Sequence, residues 1–225
     1  MTTPTVEAYL EIIYMMAVEG QPVIGARLAG ALHVSRPTVT ATLKRMARDG
    51  LVKINERKEI ATTPKGQAVA ERLQHRHRIV ERWLTDTLGF DWAKCDAEAH
   101  HLEHVMSDEV AELLNKHLGY PTTCPHGNPI PGNARTLRVA PSAKTFQLNS
   151  AKEGDTLVVT RISEYAENVA ELLDYLGKQG VTPGTKIVVN EIAPLKGPLT
   201  LRVGARTVAL SREVAGFVWV KRADG

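Results

Sequence analysis

The sequence predicts an α+β chain in three parts: an N-terminal winged helix-turn-helix, a helical middle and a small C-terminal β domain. Three observations predict it. Short helical periods separated by turns end in a charged hairpin before residue 64. Helical patterning then continues to about 118, and after about 152 the pattern changes to short strands bounded by turn residues.

Residues 5–19 repeat Val6, Leu10, Ile13, Tyr14 and Ala17 at helical spacing, and Gly20-Gln21-Pro22 breaks the run. Ile24 to Leu32 supports a second, short helix, and His33-Val34-Ser35 forms a turn. Ser35 is placed to cap a third helix, with Pro37 in a first turn where a missing N–H costs nothing. That helix turns Val39, Leu43 and Met46 inward and stops at Gly50. Residues 51–62 are two β-type runs around a charged tip, the pattern of a wing. Thr63-Pro64 opens a long helix to about Leu88, and a further helical stretch spans about 93–118, with Ser107-Asp108-Glu109 able to restart it. Proline punctuates 119–150, which reads as linker. Strands follow at 156–162, 186–192, 199–203, 207–210 and 217–221, interrupted by a helix near 166–178. Five short strands of this kind suggest a barrel-like domain.

The formal net charge of +3 is unevenly spread. Seven Lys/Arg face three acids between Arg36 and Glu59, so that window carries +4 and the remainder −1. Localised basicity suits a nucleic-acid-binding face. The third helix offers Arg36, Thr38, Thr40, Ala41, Thr42, Lys44, Arg45 and Arg48 outside its apolar stripe, with Ser35 and Pro37 at its start and Arg27 on the helix before. Basic groups there can neutralise phosphates, and short hydroxylated side chains allow close approach to a major groove. With no Asn or Gln in the helix, base readout rests on Arg36 and methyl contacts, which leaves room for shape readout. No apolar run reaches membrane-spanning length, the first residues lack a signal-peptide pattern, and two cysteines are too few for a disulfide framework, so a reducing cytoplasm is expected.

The most informative stretch is His100-His101-Leu102-Glu103-His104. On a helix, Asp96, His100, Glu103 and His104 share an arc of about 100°, and His101 points away. The arc borders an apolar stripe of Leu102, Val105, Met106, Val110 and Leu113. Upstream, His77 and Glu81 form a second pair at i, i+4. Imidazole and carboxylate donors together suit a borderline divalent metal such as Mn, Fe, Co, Ni or Zn.

EAYLEIIY at 7–14, SRPTVTATLKRMARDGLV at 35–52, HRIVERWLTD at 77–86, EAHHLEHVMSDEV at 98–110 and GNPIPG at 127–132 resemble, in order, the diphtheria toxin repressor and manganese transport regulator family of metal-dependent repressors. The resemblance implies a DNA-binding domain over 1–64, a helical metal-binding and dimerisation domain over 65–132, a linker over 133–151 and an SH3-like domain over 152–225. It also implies a homodimer that binds a palindromic double-stranded DNA operator when loaded with Mn2+, or next Fe2+, with two ions per subunit. His77 and Glu81 match the family's ancillary pair, Asp96 stands where iron-responsive members carry His, His100 replaces the Cys or Glu of the primary site, and Glu103 and His104 match its remaining ligands on this helix. Cys124-Pro125-His126 resembles a segment that some relatives use with Glu81 and an acid of the third domain; Glu167 is the expected acid, with Glu164 and Glu171 nearby. Two positions depart. Ala8 stands where the family has a Met or Asp ligand, with Glu11 one turn on as a possible substitute, and Ala41 stands where a toxin-repressor-type member has Gln.

Two other readings stay open. His100-x-x-Glu103-His104 satisfies the inverted zincin pattern of a small zinc metallopeptidase. Alternatively, the β domain is an interaction module on a metal-independent DNA-binding protein.

Overall fold

The computed structural model describes residues 2–134, 145–167 and 170–223, side chains 166, 167 and 170 excepted. Helix α1 (Pro4–Val18) starts where the Thr3 side chain accepts from Val6 N and a proline fills the first turn. Val6, Tyr9, Leu10, Ile13, Tyr14 and Met16 enter the first core, whereas Ala17, expected inward, is exposed because Met16 fills that side of the last turn. Helices α2 (Gly25–Ala31) and α3 (Arg36–Arg48) follow, joined at His33 with φ +52°. Ser35 caps α3 as expected, accepting from Thr38 N at 3.3 Å. Strands β1 (Val52–Ile54) and β2 (Ile60–Thr62) form the antiparallel wing, tied to the body by a bridge between Ile24 and Glu59.

Helix α4 (Pro64–Arg82) is the axis of the molecule, packing against α1, α5 (Cys95–Glu103) and α6 (Asp108–His117). Gly66 makes this possible at the start of the helix, since a Cβ there would overlap the Leu51 carbonyl oxygen. Past Arg82 the chain widens into a π turn over Trp83–Thr87 rather than continuing as α-helix to Leu88. The 93–118 stretch is two helices. Ser107 caps α6 through Val110 N, the restart that its Ser-Asp-Glu sequence allows. Of the stripe expected beside the metal arc, Leu102 and Met106 pack against a small core with Val80, Leu84 and Ala99, whereas Val105, Val110 and Leu113 are exposed at 80%, 46% and 61%.

The proline-punctuated segment departs from the linker reading. Residues 119–134 are packed: Cys124, His126, Asn128 and Ile130 are buried, and Cys124 N donates to Asn128 O at 2.8 Å to close a tight loop. Its prolines serve turns, which carry no periodicity to read. Strand β3 (Phe146–Gln147) and a 3-10 turn at Leu148–Ser150 also fall inside the expected linker; residues 135–144 lie outside the described part.

The C-terminal domain is an antiparallel sheet of β4 (Thr156–Ile162), β5 (Lys186–Ile192), β6 (Leu199–Val203), β7 (Arg206–Leu210) and β8 (Val218–Arg222), with β3 added at the edge in the order β3-β8-β4-β5-β6-β7. Helices α7 (Glu164–Glu167), α8 (Ala170–Lys178) and α9 (Arg212–Phe217) complete it. The expected strands are all present; β3 and α9 were too short to leave a periodic signal.

This domain is fastened to the other two by buried polar contacts. Arg161 reaches both oxygens of Glu19, at 2.6 and 3.0 Å, and its guanidinium stacks 4.2 Å from the Trp219 ring. Ser163 also donates to Glu19, and Arg78 of α4 meets Pro129 O and the Glu164 carboxylate. Ile162 N donates to His126 O at 2.8 Å, so the 124–128 loop lies against β4. No helix of the described residues is long and apolar enough to cross a membrane.

Gly127 sits at that contact with φ +89°, and a Cβ would fall on the Thr160 carbonyl oxygen. Gly127→Ala should therefore destabilise by about 2 kcal/mol or more and lower the melting temperature by about 5 °C, read by differential scanning calorimetry. An unchanged melting temperature would show that this loop does not bear on β4.

Candidate metal centre

The central helix α4 brings the candidate ligands together because His77 and Glu81, one turn apart, are both buried and face different neighbours. His77 Nδ1 lies 2.8 Å from Glu103 Oε2, and its Nε2 lies 3.2 Å from Asp96 Oδ1, both on α5. Glu103 Oε1 lies 3.0 Å from His100 Nδ1 and 3.3 Å from His104 Nε2. Glu11 closes the group from α1, held by Gln74 Nε2 at 3.1 Å. One donor atom each from Glu11, His77, His100 and Glu103 lies within 4.8 Å of the others. Glu11, His77 and His100 line a cleft of about 370 Å³ together with Ile12, Met15 and Asp96.

The expected His77–Glu81 pair is present, with His77 Nε2 3.9 Å from Glu81 Oε1 and Asp96 completing a close trio. Two further groups adjoin it: His77 also lies with Glu11, His100 and Glu103, and Glu81 also lies with Cys95 and His126. His101 is exposed, as its place on the helix predicts. His104, just past the end of α5, reaches Glu103 and, through Nδ1, Glu7 Oε2 at 3.2 Å. Ala8 offers no donor; Glu11 and Glu7 on the same helix supply the carboxylates that face α5. Sequence reasoning did not single out Glu7, and only the packing of α1 against the end of α5 reveals it.

Burial and mutual contact set the charges. Burial pushes the Glu11 carboxyl up to about 7, with the Glu103 carboxylate adding to the rise. Burial alone would lower the His77 imidazole, but its bonds to Asp96 and Glu103 hold it well above the usual histidine range. The bond to Glu103 also raises His100. Burial works against the Glu103 carboxylate, yet His100 and His77 hold it down at about 2. Protons on imidazoles thus stand where a cation would neutralise the carboxylates, and the donor set fits a divalent ion of the nitrogen/oxygen-binding kind.

The second group is fully buried. His126 Nδ1 lies 2.9 Å from Glu81 Oε1, and its Nε2 donates to Trp92 O at 3.0 Å. Burial would raise Glu81, but the His126 imidazole outweighs it and lowers the carboxyl below its ordinary value. Cys124 Sγ is 3.9 Å from His126 Nδ1. Of the acids expected from the third domain, Glu164 is buried and paired with Arg78, Glu171 is exposed, and the side chain of Glu167 lies outside the described part of the structure. Cys95, which no sequence spacing singles out, joins the group.

On the DNA-facing side, Arg27, Ser35, Arg36, Pro37, Thr38, Thr40, Ala41, Lys44, Arg45 and Arg48 are all exposed. Thr42 is not: it is buried with Val39, Leu43 and Met46, because it follows Val39 by three positions and precedes Met46 by four. The inverted zincin pattern needs its glutamate facing a metal-bound water. Here Glu103 is fully buried with its carboxylate between three imidazoles.

Three family models match the chain in order. Residues 1–60 match the iron dependent repressor N-terminal DNA binding domain, 63–132 the iron dependent repressor metal binding and dimerisation domain, and 146–222 the FeoA domain. The iron-dependent repressor IdeR of Mycobacterium leprae (strain TN) is 37% identical over 224 residues, 97% of each chain. A manganese-dependent transcriptional repressor in complex with manganese superposes with a TM-score of 0.85 at 28% identity, covering 97% of this chain and 100% of that one. ScaR with bound Zn2+ gives 0.80 at 26% identity over 98% of this chain and 100% of that one.

A divalent ion entering the first group must displace the protons held on Glu11, His77 and His100. Raised values mean that these groups give up their protons at higher pH than free ones do, so metal affinity should climb with pH through about 7, where Glu11 titrates. Titration calorimetry in buffers of different protonation enthalpy should show more than one proton released per ion at pH 7. Binding without proton release would contradict this charge arrangement.

Proposed function

As the chain belongs to the iron-dependent repressor family and is a metal-dependent DNA-binding transcriptional repressor, we propose that its first donor group, Glu11, His77, Asp96, His100, Glu103 and His104, is the regulatory metal centre. The observation that carries this reading is the convergence of Glu11, from the DNA-binding domain, with His77, His100 and Glu103 of the helical domain. Glu81, Cys124 and His126 form the ancillary centre, with Glu167 the expected further acid, giving two ions per subunit.

A bound cation supplies a charge that the clustered carboxylates and imidazoles can share once their protons have left. Glu11 and the Glu7–His104 contact then tie α1 to α5, so the tilt of α1, and with it of α3, is fixed relative to the helical domain. The switch shifts the equilibrium only by the difference in metal affinity between the DNA-competent and other arrangements, and each tenfold gain in DNA affinity needs about 1.4 kcal/mol. The nitrogen/oxygen donor set of the first group favours Mn2+, then Fe2+, as the physiological effector. Zn2+ binds more tightly in vitro by the usual stability order.

Val105, Val110 and Leu113 supply the homodimer surface, since an apolar face this exposed on a domain of this family calls for a partner. A twofold dimer pairs two α3 helices with a palindromic double-stranded operator. Arg36 and the hydroxylated start of α3 face base edges; Arg27, Lys44, Arg45 and Arg48 contact phosphates. The protein acts in the cytoplasm.

Fluorescence anisotropy with promoter DNA tests this reading. Mn2+ or Fe2+ should tighten binding at least tenfold, and Glu103→Gln or His77→Ala should abolish the gain while leaving weak, salt-sensitive DNA binding. Equal affinity with and without metal would overturn the switch and favour a metal-independent DNA-binding protein.

A further inference from the structure

The second donor group contains a side chain that the ancillary-centre reading does not use. Cys95 is the first residue of α5 and is completely buried, with Sγ 4.0 Å from Glu81 Oε1. One donor atom each from Glu81, Cys95 and His126 lies within 4.8 Å of the others. Cys124 lies beside this trio, with Sγ 3.9 Å from His126 Nδ1 and its thiol against the Glu81 carboxylate. Neither cysteine is in a disulfide.

We propose that Cys95, Cys124, His126 and Glu81 form a four-ligand thiolate centre for Zn2+, with Cys95 in the place that the reading above gives to Glu167. The inference rests on the reading of Glu81, Cys124 and His126 as a metal centre and adds Cys95, the second thiolate and the metal preference.

Four features carry it. Two sulfurs, one imidazole nitrogen and one carboxylate oxygen are the number and kind of donors that a tetrahedral zinc site uses. All four residues are exposed by 1% or less, which leaves no face open to water, the mark of a structural rather than a reactive site. His126 donates Nε2–H to the Trp92 carbonyl, and this outer contact turns Nδ1 toward Glu81 and the sulfurs, as second-layer partners of metal-bound histidines do. Finally, Glu81 Oε2 is buried with no hydrogen-bond partner among the described residues, a costly state for a carboxylate that a cation relieves.

The two groups thereby differ in chemistry. The first offers only nitrogen and oxygen donors, while the second offers two soft thiolates, which select zinc over manganese. Filling the second centre ties α4, the start of α5 and the 124–128 loop into one unit. Through the Ile162–His126 contact the same unit supports β4.

The test is optical titration of the reduced, full-length dimer with Co2+, which reports thiolate ligation by a near-ultraviolet charge-transfer band and tetrahedral geometry by intense visible bands. The expected result is a band of two-thiolate intensity, halved in Cys95→Ser and absent in Cys95→Ser/Cys124→Ser. Zn2+ affinity, read by competition with a chromophoric chelator, should fall about 100-fold in Cys95→Ser, with the Mn2+ affinity of the first group unchanged. Cys95→Val, which keeps an apolar side chain of similar size in the buried position, should give the same halved band with an unchanged metal-free melting temperature, separating ligation from packing. A wild-type band of one-thiolate intensity, unaltered by Cys95→Ser, would overturn the role of Cys95 while leaving Cys124 as a ligand. No thiolate band at all would overturn both this inference and the ancillary-centre reading beneath it.

Discussion

The arrangement of this protein depends on the carboxylate of Glu103, buried completely at the junction of α1, α4 and α5. A buried carboxylate is tolerated only when positive charge or hydrogen-bond donors meet it on every open side. His77 bonds one oxygen across from α4, whereas His100 and His104 stand 3.0 and 3.3 Å from the other, which is left without a hydrogen bond among the described residues. A cation that replaced the protons on His77 and His100 would inherit the same geometry. On the proposed reading, protons balance the charge in one state and metal in the other, and the two states would differ in how firmly α1 is held.

That difference matters because α1 serves two cores. Its inner face packs with α3 and the wing, while Glu7 and Glu11 face the helical domain. Small changes in its tilt are passed to α3 as a rigid movement, since close-packed interiors shift as units rather than deform. The C-terminal domain holds the opposite end of α1, where Glu19 is clasped by Arg161 and Ser163. Breaking a pair buried this deeply leaves an uncompensated charge, so the contact discourages separation of the two domains even where its net contribution to stability is small. Helix α1 is therefore held at its C-terminal end by a buried ion pair and along its length by the cluster proposed as the metal centre.

Much of this was legible in the chain itself. Capping residues fixed the starts of α1, α3, α4 and α6, because a side-chain oxygen three residues before an amide is a local requirement. Strands β4, β5 and β6 fell where alternation and β-branched residues put them. The candidate ligands on α4 and α5 were visible through helical spacing. What escaped had a common character. The 119–134 segment looked like linker because turns carry no periodicity, although its side chains are among the most buried. The Val105–Leu113 stripe looked like core because amphipathicity reports that a face is apolar, not which surface covers it. Thr42 looked like a DNA-facing residue because a small polar side chain at the margin of a stripe can lie on either side.

The sequence determined which segments form helices and strands, where basic charge gathers and which donor types are available, because those properties follow from neighbours within a few residues. It could not determine which donors share an ion. That depended on the crossing of α1, α4 and α5, which moved His77 to the side of Glu103, drew Glu7 to His104 and set Cys95 beside Glu81. Those pairs stand 26, 97 and 14 residues apart in the chain. Only packing of the finished helices, driven by burial of their apolar faces, brings such distant groups within a few ångströms.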